Sequence, residues 1–110
     1  MENNSIQRIS GMLGFAMRAR KLVLGTDLVC RAMPCGNVKL VVISEGASDA
    51  TKKKLSVKSE YYGIPYVEVK IDTEQLGKLL GKSSLVAAVA VLDSNFAEQI
   101  IMAASCHQNS

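Results

Sequence analysis

A chain of 110 residues with 48% hydrophobic side chains has room for one packed domain and not for two. Its net charge of +3 is unevenly placed: ten Lys or Arg stand against four Asp or Glu in residues 1–58, and three against six in residues 59–110, which suits one face turned to a polyanion. No apolar run nears the roughly 20 residues that cross a bilayer, Met1-Glu2-Asn3-Asn4-Ser5 lacks the basic-then-apolar order of a secretion signal, and 5% aromatic residues without Trp are too few to stack many unpaired bases. A cytoplasmic protein is expected, and Cys30, Cys35 and Cys106, which lack C-x-x-C spacing, read as free thiols.

Apolar residues at Ile6, Ile9, Leu13, Ala16 and Met17 recur at helical spacing, so Ser5 to Arg18 reads as an amphipathic helix. Gly11 and Gly14 lie inside it at about 1 kcal/mol each relative to alanine, a cost that is tolerable if they let a neighbouring element approach closely. Arg18-Ala19-Arg20-Lys21 then forms a basic corner. Leu22 to Leu24 reads as a short strand, Gly25 can take backbone angles closed to other residues, and Thr26 or Asp27 caps a helix running from about Asp27 to Met33. Pro34 crowds the carbonyl of Cys30 and ends or kinks that helix.

Lys39 to Ser44 holds four consecutive apolar residues, Leu40-Val41-Val42-Ile43, the mark of a strand covered on both faces, so helices must flank the sheet. Ser48 or Asp49 starts a third helix that ends near Tyr61-Tyr62-Gly63, and Tyr66 to Val69 alternates as a strand. Asp72 or Thr73 caps a short helix through Leu80, Ser84 to Leu92 reads as another buried strand, and Phe96 to Ala104 forms a last helix. Residues 105–110 are left as a flexible tail behind a single domain of residues 1–104. This alternation describes an α/β fold, a three-layer α/β/α sandwich around a small, mostly four-stranded mixed sheet.

The junction at Gly25 leaves the first N–H groups of a helix unpaired, and Arg31 adds a positive charge one turn further in. Two readings are open there: a plain strand-to-helix cap, or a cap that also receives an anionic group. Lys52-Lys53-Lys54 with Lys58 is either a solvated helix face or a stripe that tracks phosphates. Gly77-Lys78-Leu79-Leu80-Gly81-Lys82-Ser83 fails as a nucleotide-binding P-loop, because three residues rather than four separate its glycines and it ends a helix instead of opening one. What remains is the loop Gly81-Lys82-Ser83-Ser84-Leu85-Val86, with one cation, two hydroxyls and an exposed apolar pair. Cys106 and His107 are neighbours in a tail without a pocket, carboxylates are spread singly, and no Gly-x-Ser-x-Gly elbow is present. No catalytic residue, metal site or small-molecule cofactor is therefore expected.

Five blocks, in order, carry a further observation: Leu13 to Val23, Gly25 to Ala32, Lys39 to Ser48, Tyr61-Tyr62-Gly63-Ile64-Pro65, and Leu76 to Lys82. From about Ile6 to Ile100 the chain resembles the kink-turn-binding ribosomal proteins of the L-seven-Ae family, most closely the small bacterial YlxQ-type members. The resemblance implies an α/β/α sandwich whose second helix enters the widened groove of a sharply bent RNA internal loop built on tandem sheared G·A pairs. It also implies that the loop before the last strand covers unstacked nucleotides with apolar side chains. On that likeness the protein is a non-catalytic RNA-binding protein, ribosome- or translation-associated. Its partners would be structured RNA, a kink-turn or ribosomal RNA, with ribosomal or translation-factor proteins beside it and neither a membrane nor a small-molecule cofactor.

Carried onto this chain, Gly25, Thr26 and Asp27 would approach base edges beside Leu28, while Lys21, Arg31 and Lys82 would neutralise phosphates. Leu85 with Val86 would pack on an extruded base, from a loop that also presents Ser83 and Ser84. Ribosomal members carry Asn then Glu where this chain has Asp27 and Leu28, and a Lys where it has Arg31; Pro34 and Cys35 replace a basic-plus-small pair. Either Asp27 accepts from guanine N–H groups, being acceptor-only at neutral pH, or its charge repels phosphates and weakens binding. A rival reading on the same fold is a protein-interaction module, in which Leu28 and the loop 81–86 make an apolar contact with a protein of the translation machinery.

Overall fold

The structure is a computed structural model that describes the backbone of residues 3–108 and the side chains of residues 6–104. In chain order it holds α1 (Asn3–Arg18), β1 (Leu22–Leu24), α2 (Thr26–Ala32), a 3-10 turn (Met33–Cys35), β2 (Leu40–Ser44), α3 (Asp49–Tyr61), β3 (Tyr66–Val69), α4 (Thr73–Leu79), β4 (Ala88–Val91) and α5 (Ser94–Gln108). The strands form one four-stranded sheet in the order β1-β4-β2-β3. β2 and β3 run parallel and the other two pairings are antiparallel, so the sheet is mixed, as expected.

Alternation along the two central strands decides the layering, since successive side chains leave a strand on opposite faces. Leu40, Val42, Val89 and Val91 point to a core shared with Ile9 and Leu13 of α1, Leu76 of α4 and Ile100 and Ala103 of α5. Val41, Ile43, Ala88 and Ala90 point the other way, to Val29 of α2 and Leu55 of α3. Both faces are thus covered, which explains why β2 and β4 read as unbroken apolar runs. The two alanines of β4 are small, so the short helix α2 lies directly over that strand.

Helix starts follow their caps. Ser48 accepts from the Thr51 N–H at 3.2 Å ahead of α3, and Asp72 accepts from the Gln75 N–H at 2.8 Å while Gln75 reaches back, a reciprocal capping box ahead of α4. Pro34 acts as expected: α2 stops at Ala32 and the chain tightens into the 3-10 turn, with Gly36 left-handed at its end.

Three expectations are corrected. The last helix does not end at Ala104 ahead of a flexible tail but continues to Gln108, where neither glycine nor proline stops it; Asn109 and Ser110 lie outside the described residues. The strand expected over Ser84 to Leu92 is confined to Ala88–Val91, because the residues before it fold onto α4 instead. Gly11 and Gly14 admit no close neighbour, since a Cβ on either would meet nothing within 4 Å; they line an open hollow between α1 and Leu79 of α4.

Two buried serines illustrate opposite sides of the same balance. The Ser44 hydroxyl donates to the Ile71 carbonyl at 2.6 Å and accepts from the Gly46 N–H at 3.0 Å, tying the end of β2 to the segment before α4. The Ser59 hydroxyl, equally buried on α3, has no partner. Removing a satisfied buried hydroxyl orphans its partners, whereas removing an unsatisfied one relieves a desolvation cost. In urea unfolding, Ser44→Ala is expected to lower stability by about 2 kcal/mol and Ser59→Ala to raise it by about 1 kcal/mol.

Candidate nucleic-acid interface

β1 is an edge strand with β4 as its one neighbour, and its three apolar residues are consequently only half-buried. The chain leaves it through Gly25, whose φ of 94° and ψ of 146° lie in a region essentially closed to residues with a Cβ. In that conformation the Gly25 N–H donates to the Ala88 carbonyl at 2.9 Å, the last rung of the ladder, while the Gly25 carbonyl accepts from Val29 N–H at 2.9 Å and opens α2. Glycine itself holds the cap position, and no side chain caps the helix. The expectation that Thr26 or Asp27 would cap is corrected: both sit inside the first turn. The N–H groups of Thr26, Asp27 and Leu28 therefore meet no protein acceptor among the described residues.

The second segment is placed by two glycines. α4 ends with the Gly81 N–H bonded to the Lys78 carbonyl at 3.1 Å and the Lys82 N–H to the Gly77 carbonyl at 2.8 Å, a helix stop that needs Gly81 at φ 74°. The chain then folds back so closely that a Cβ on Gly77 would collide with the Ser84 carbonyl oxygen. The Val86 N–H donates to the Thr73 carbonyl at 3.1 Å and completes the clamp. The sequence resembling a P-loop is in fact a helix end with a loop laid over it.

These two constructions meet. Gly25 and Leu28 from one side and Lys82, Ser84, Leu85 and Val86 from the other line a single open groove of about 560 Å³. Its floor is the edge strand Leu22–Leu24, and Met17 of α1 closes one flank. Leu85 is 69% exposed and Leu28 54% exposed, so two large apolar side chains stand at the rim with the Lys82 ammonium beside them.

The remaining expected residues are distributed less neatly. Asp27 and Arg31 are exposed four residues apart on α2, outside the groove lining, and Thr26 is half-buried beside them. Ser83 is exposed on the loop but outside the lining. Val86 is 4% exposed, so the apolar pair is corrected: Leu85 is offered to solvent and Val86 is anchored in the core beneath it. Lys21 lies at the start of β1, the opposite end of the strand from Gly25. The ion pairs among the described residues are Lys52–Glu68 at 3.6 Å and Lys78–Glu74 at 3.2 Å, which leaves Arg31, Lys82 and Lys21 uncompensated. Met17 and the β1 side chains escaped the sequence reading, because their apolar character signals a core and nothing in their spacing marks a groove wall.

No group of three or more His, Cys, Asp or Glu side chains that could hold a metal ion is found among the described residues, and the side chains of Cys106 and His107 lie outside them. No described helix is long and apolar enough to cross a membrane. The ionisation displaced clearly from its ordinary value belongs to Tyr66, on the far edge strand, where its hydrogen bond to the Glu60 carboxylate at 2.9 Å holds it up, aided by desolvation and by that charge.

The profile of the Ribosomal protein L7Ae/L30e/S12e/Gadd45 family matches residues 7–101. The chain belongs to this family. It is 43% identical over 90 residues to the RNA-binding protein YlxQ of Bacillus subtilis (strain 168), covering 82% of this chain and 88% of that protein, and 32% identical over 99 residues to the RNA-binding protein YlxQ of Enterococcus faecium, covering 90% and 93%. The large ribosomal subunit protein eL30 of Sulfolobus acidocaldarius is 30% identical over 87 residues, covering 79% of this chain and 84% of that protein. Within the family the similarity therefore lies with the bacterial YlxQ type. Among solved structures, a Bacillus halodurans C protein of unknown function superposes with a TM-score of 0.83 at 34% identity, covering 89% of this chain and 97% of that one. The Giardia lamblia 15.5kD RNA binding protein, at 16% identity, shares the fold with a TM-score of 0.79, covering 96% and 92%.

Glycines on either side of the groove give opposite expectations from one kind of substitution. Gly77→Ala must push the Ser84 backbone away and is expected to cost about 1–3 kcal/mol, with amide NMR shifts moving along residues 82–86. Gly11→Ala, with open space around it in a helix interior, is expected to gain about 1 kcal/mol and leave those shifts in place.

Proposed function

We propose that this chain is a non-catalytic RNA-binding protein of the translation machinery, cytoplasmic, that recognises kink-turn-like bent RNA through the groove between α2 and the loop 81–86. The observation that carries this reading is the juxtaposition of the unpaired main-chain donors of Thr26 to Leu28, at the start of α2, with the exposed Leu85 and the free Lys82 charge around one groove. Such a surface offers a phosphate a cation and an unstacked base an apolar platform, which a straight duplex with its bases enclosed cannot use. The names of the YlxQ and eL30 relatives support RNA as the partner.

In this reading Asp27, uncompensated in the first turn of α2, accepts from base N–H groups, and Arg31 one turn on the same face meets the adjacent phosphate. Leu28 contributes apolar contact where ribosomal members carry a polar reader. Val86 acts through Leu85, by anchoring the loop.

A kink-turn RNA is expected to bind more tightly than the same RNA with its sheared G·A pairs replaced by Watson–Crick pairs; equal affinity would remove the claim of shape recognition. Leu85→Ala is expected to weaken binding to the bent RNA about 5-fold, the loss of roughly 1 kcal/mol of apolar contact, with the salt slope unchanged. Arg31→Ala is expected to lower that slope by about one unit. A second reading, direct contact with a translation-machinery protein, is favoured by the exposed Leu28 and Leu85. Copurification that persists after nuclease treatment would support it.

A further inference from the structure

At the opposite end of β1 from the groove, Arg20, Lys21 and Lys39 surround a second, polar recess of about 330 Å³, whose remaining lining is Gly36, Asn37 and Leu92. Its construction is specific. The Lys21 carbonyl accepts from the Leu92 N–H at 2.8 Å and the Lys39 N–H donates to the Val91 carbonyl at 2.8 Å, so the backbones of both lysines are clipped to the end of β4 from its two sides. Two strand spacings, ~10 Å, separate those backbones, within reach of long side chains converging on one anionic chain. All three cations are exposed, and none takes part in an ion pair among the described residues.

Arg20 is the unusual member. It stands at φ 61°, the left-handed position that ends α1, with its N–H on the Met17 carbonyl at 3.1 Å and the following Lys21 N–H on the Ala16 carbonyl at 2.8 Å. Glycine is the default residue there, and an arginine accepts backbone strain. The negative end of α1 attracts cations, but Arg18 already serves it from the last turn, and Lys39 belongs to a different part of the chain.

We propose that this recess is a second RNA contact, which grips backbone phosphates of a duplex stem flanking the bent loop held in the groove. The proposal rests on the RNA-binding reading above and extends it to a site that the groove does not include. Three cations around a lining with no aromatic ring and a single half-buried leucine, Leu92, suit phosphates better than bases. Lys21 and Gly25 are four residue steps apart along one edge strand, ~13 Å, a span that a few nucleotides of backbone cover.

The test uses the full chain and three RNAs with the same bent loop: one with both stems long, and two with either stem trimmed to a few base pairs. On the long RNA, Lys39→Ala is expected to weaken binding about 5-fold and to lower the salt slope by about one unit, and trimming one of the two stems is expected to abolish both effects. Arg20→Gly removes a cation while relieving the left-handed strain, so it is expected to raise the thermal midpoint and still weaken binding to the long RNA. Unchanged affinity in both variants, or a Lys39→Ala loss that survives trimming of either stem, would overturn the second contact while leaving the groove reading intact. If the protein does not distinguish the bent loop from its straightened version, yet Lys39→Ala still lowers the slope on duplex RNA, the groove reading falls and the phosphate contact stands.

Discussion

One backbone hydrogen bond joins the two halves of the groove. The Gly25 N–H donates to the Ala88 carbonyl, so the residue that opens α2 is bonded to the residue that begins β4, directly after the loop carrying Lys82 and Leu85. The positive φ at residue 25 turns the chain from that rung into α2, and this turn depends on the absence of a side chain there. The start of α2 and the end of the loop are held in one frame by it, and Ala88 and Ala90 beneath α2 keep that frame shallow. Rigid elements on either side position a surface whose own residues are otherwise exposed, a usual arrangement for binding sites on loops.

The surface is built from two kinds of contact kept apart. Apolar side chains at Leu28 and Leu85 stand at the rim of the groove, while the free charges of Lys82, Arg31 and the corner of Arg20, Lys21 and Lys39 lie around and beyond it. The lysines of α3 are on the sheet face opposite α1, and one of them, Lys52, is engaged with Glu68 of the neighbouring edge strand. This division matches the uneven distribution of charge along the chain without requiring every basic run to be a binding stripe.

Much of the fold was legible because its signals are local. Four apolar residues in β2 required cover on both faces, Ser48 and Asp72 announced helix starts, and Pro34 announced a stop. The two segments of the groove were legible as chemistry, one by its glycine at a strand-to-helix switch and the other by a cation beside an apolar residue. Their meeting is a matter of strand order, which no local pattern encodes: β1 and β4 lie side by side although more than sixty residues separate them. Direction was also hidden where no periodicity exists. Val86 turns inward with its N–H tied to Thr73, Gly77 matters because of a carbonyl seven residues later, and Gly11 and Gly14 line an open hollow although glycines at that spacing equally suit a close helix contact.

The brevity of β1 has a consequence for solubility. An apolar edge strand ordinarily offers a template on which a second chain can polymerise, and a greasy groove along that edge adds to the hazard. Three residues supply too few free rungs to hold an added strand, and the turn at Gly25 swings the backbone out of register with any that began to form. The apolar margin beside the groove is thereby a poor template for the addition of a strand.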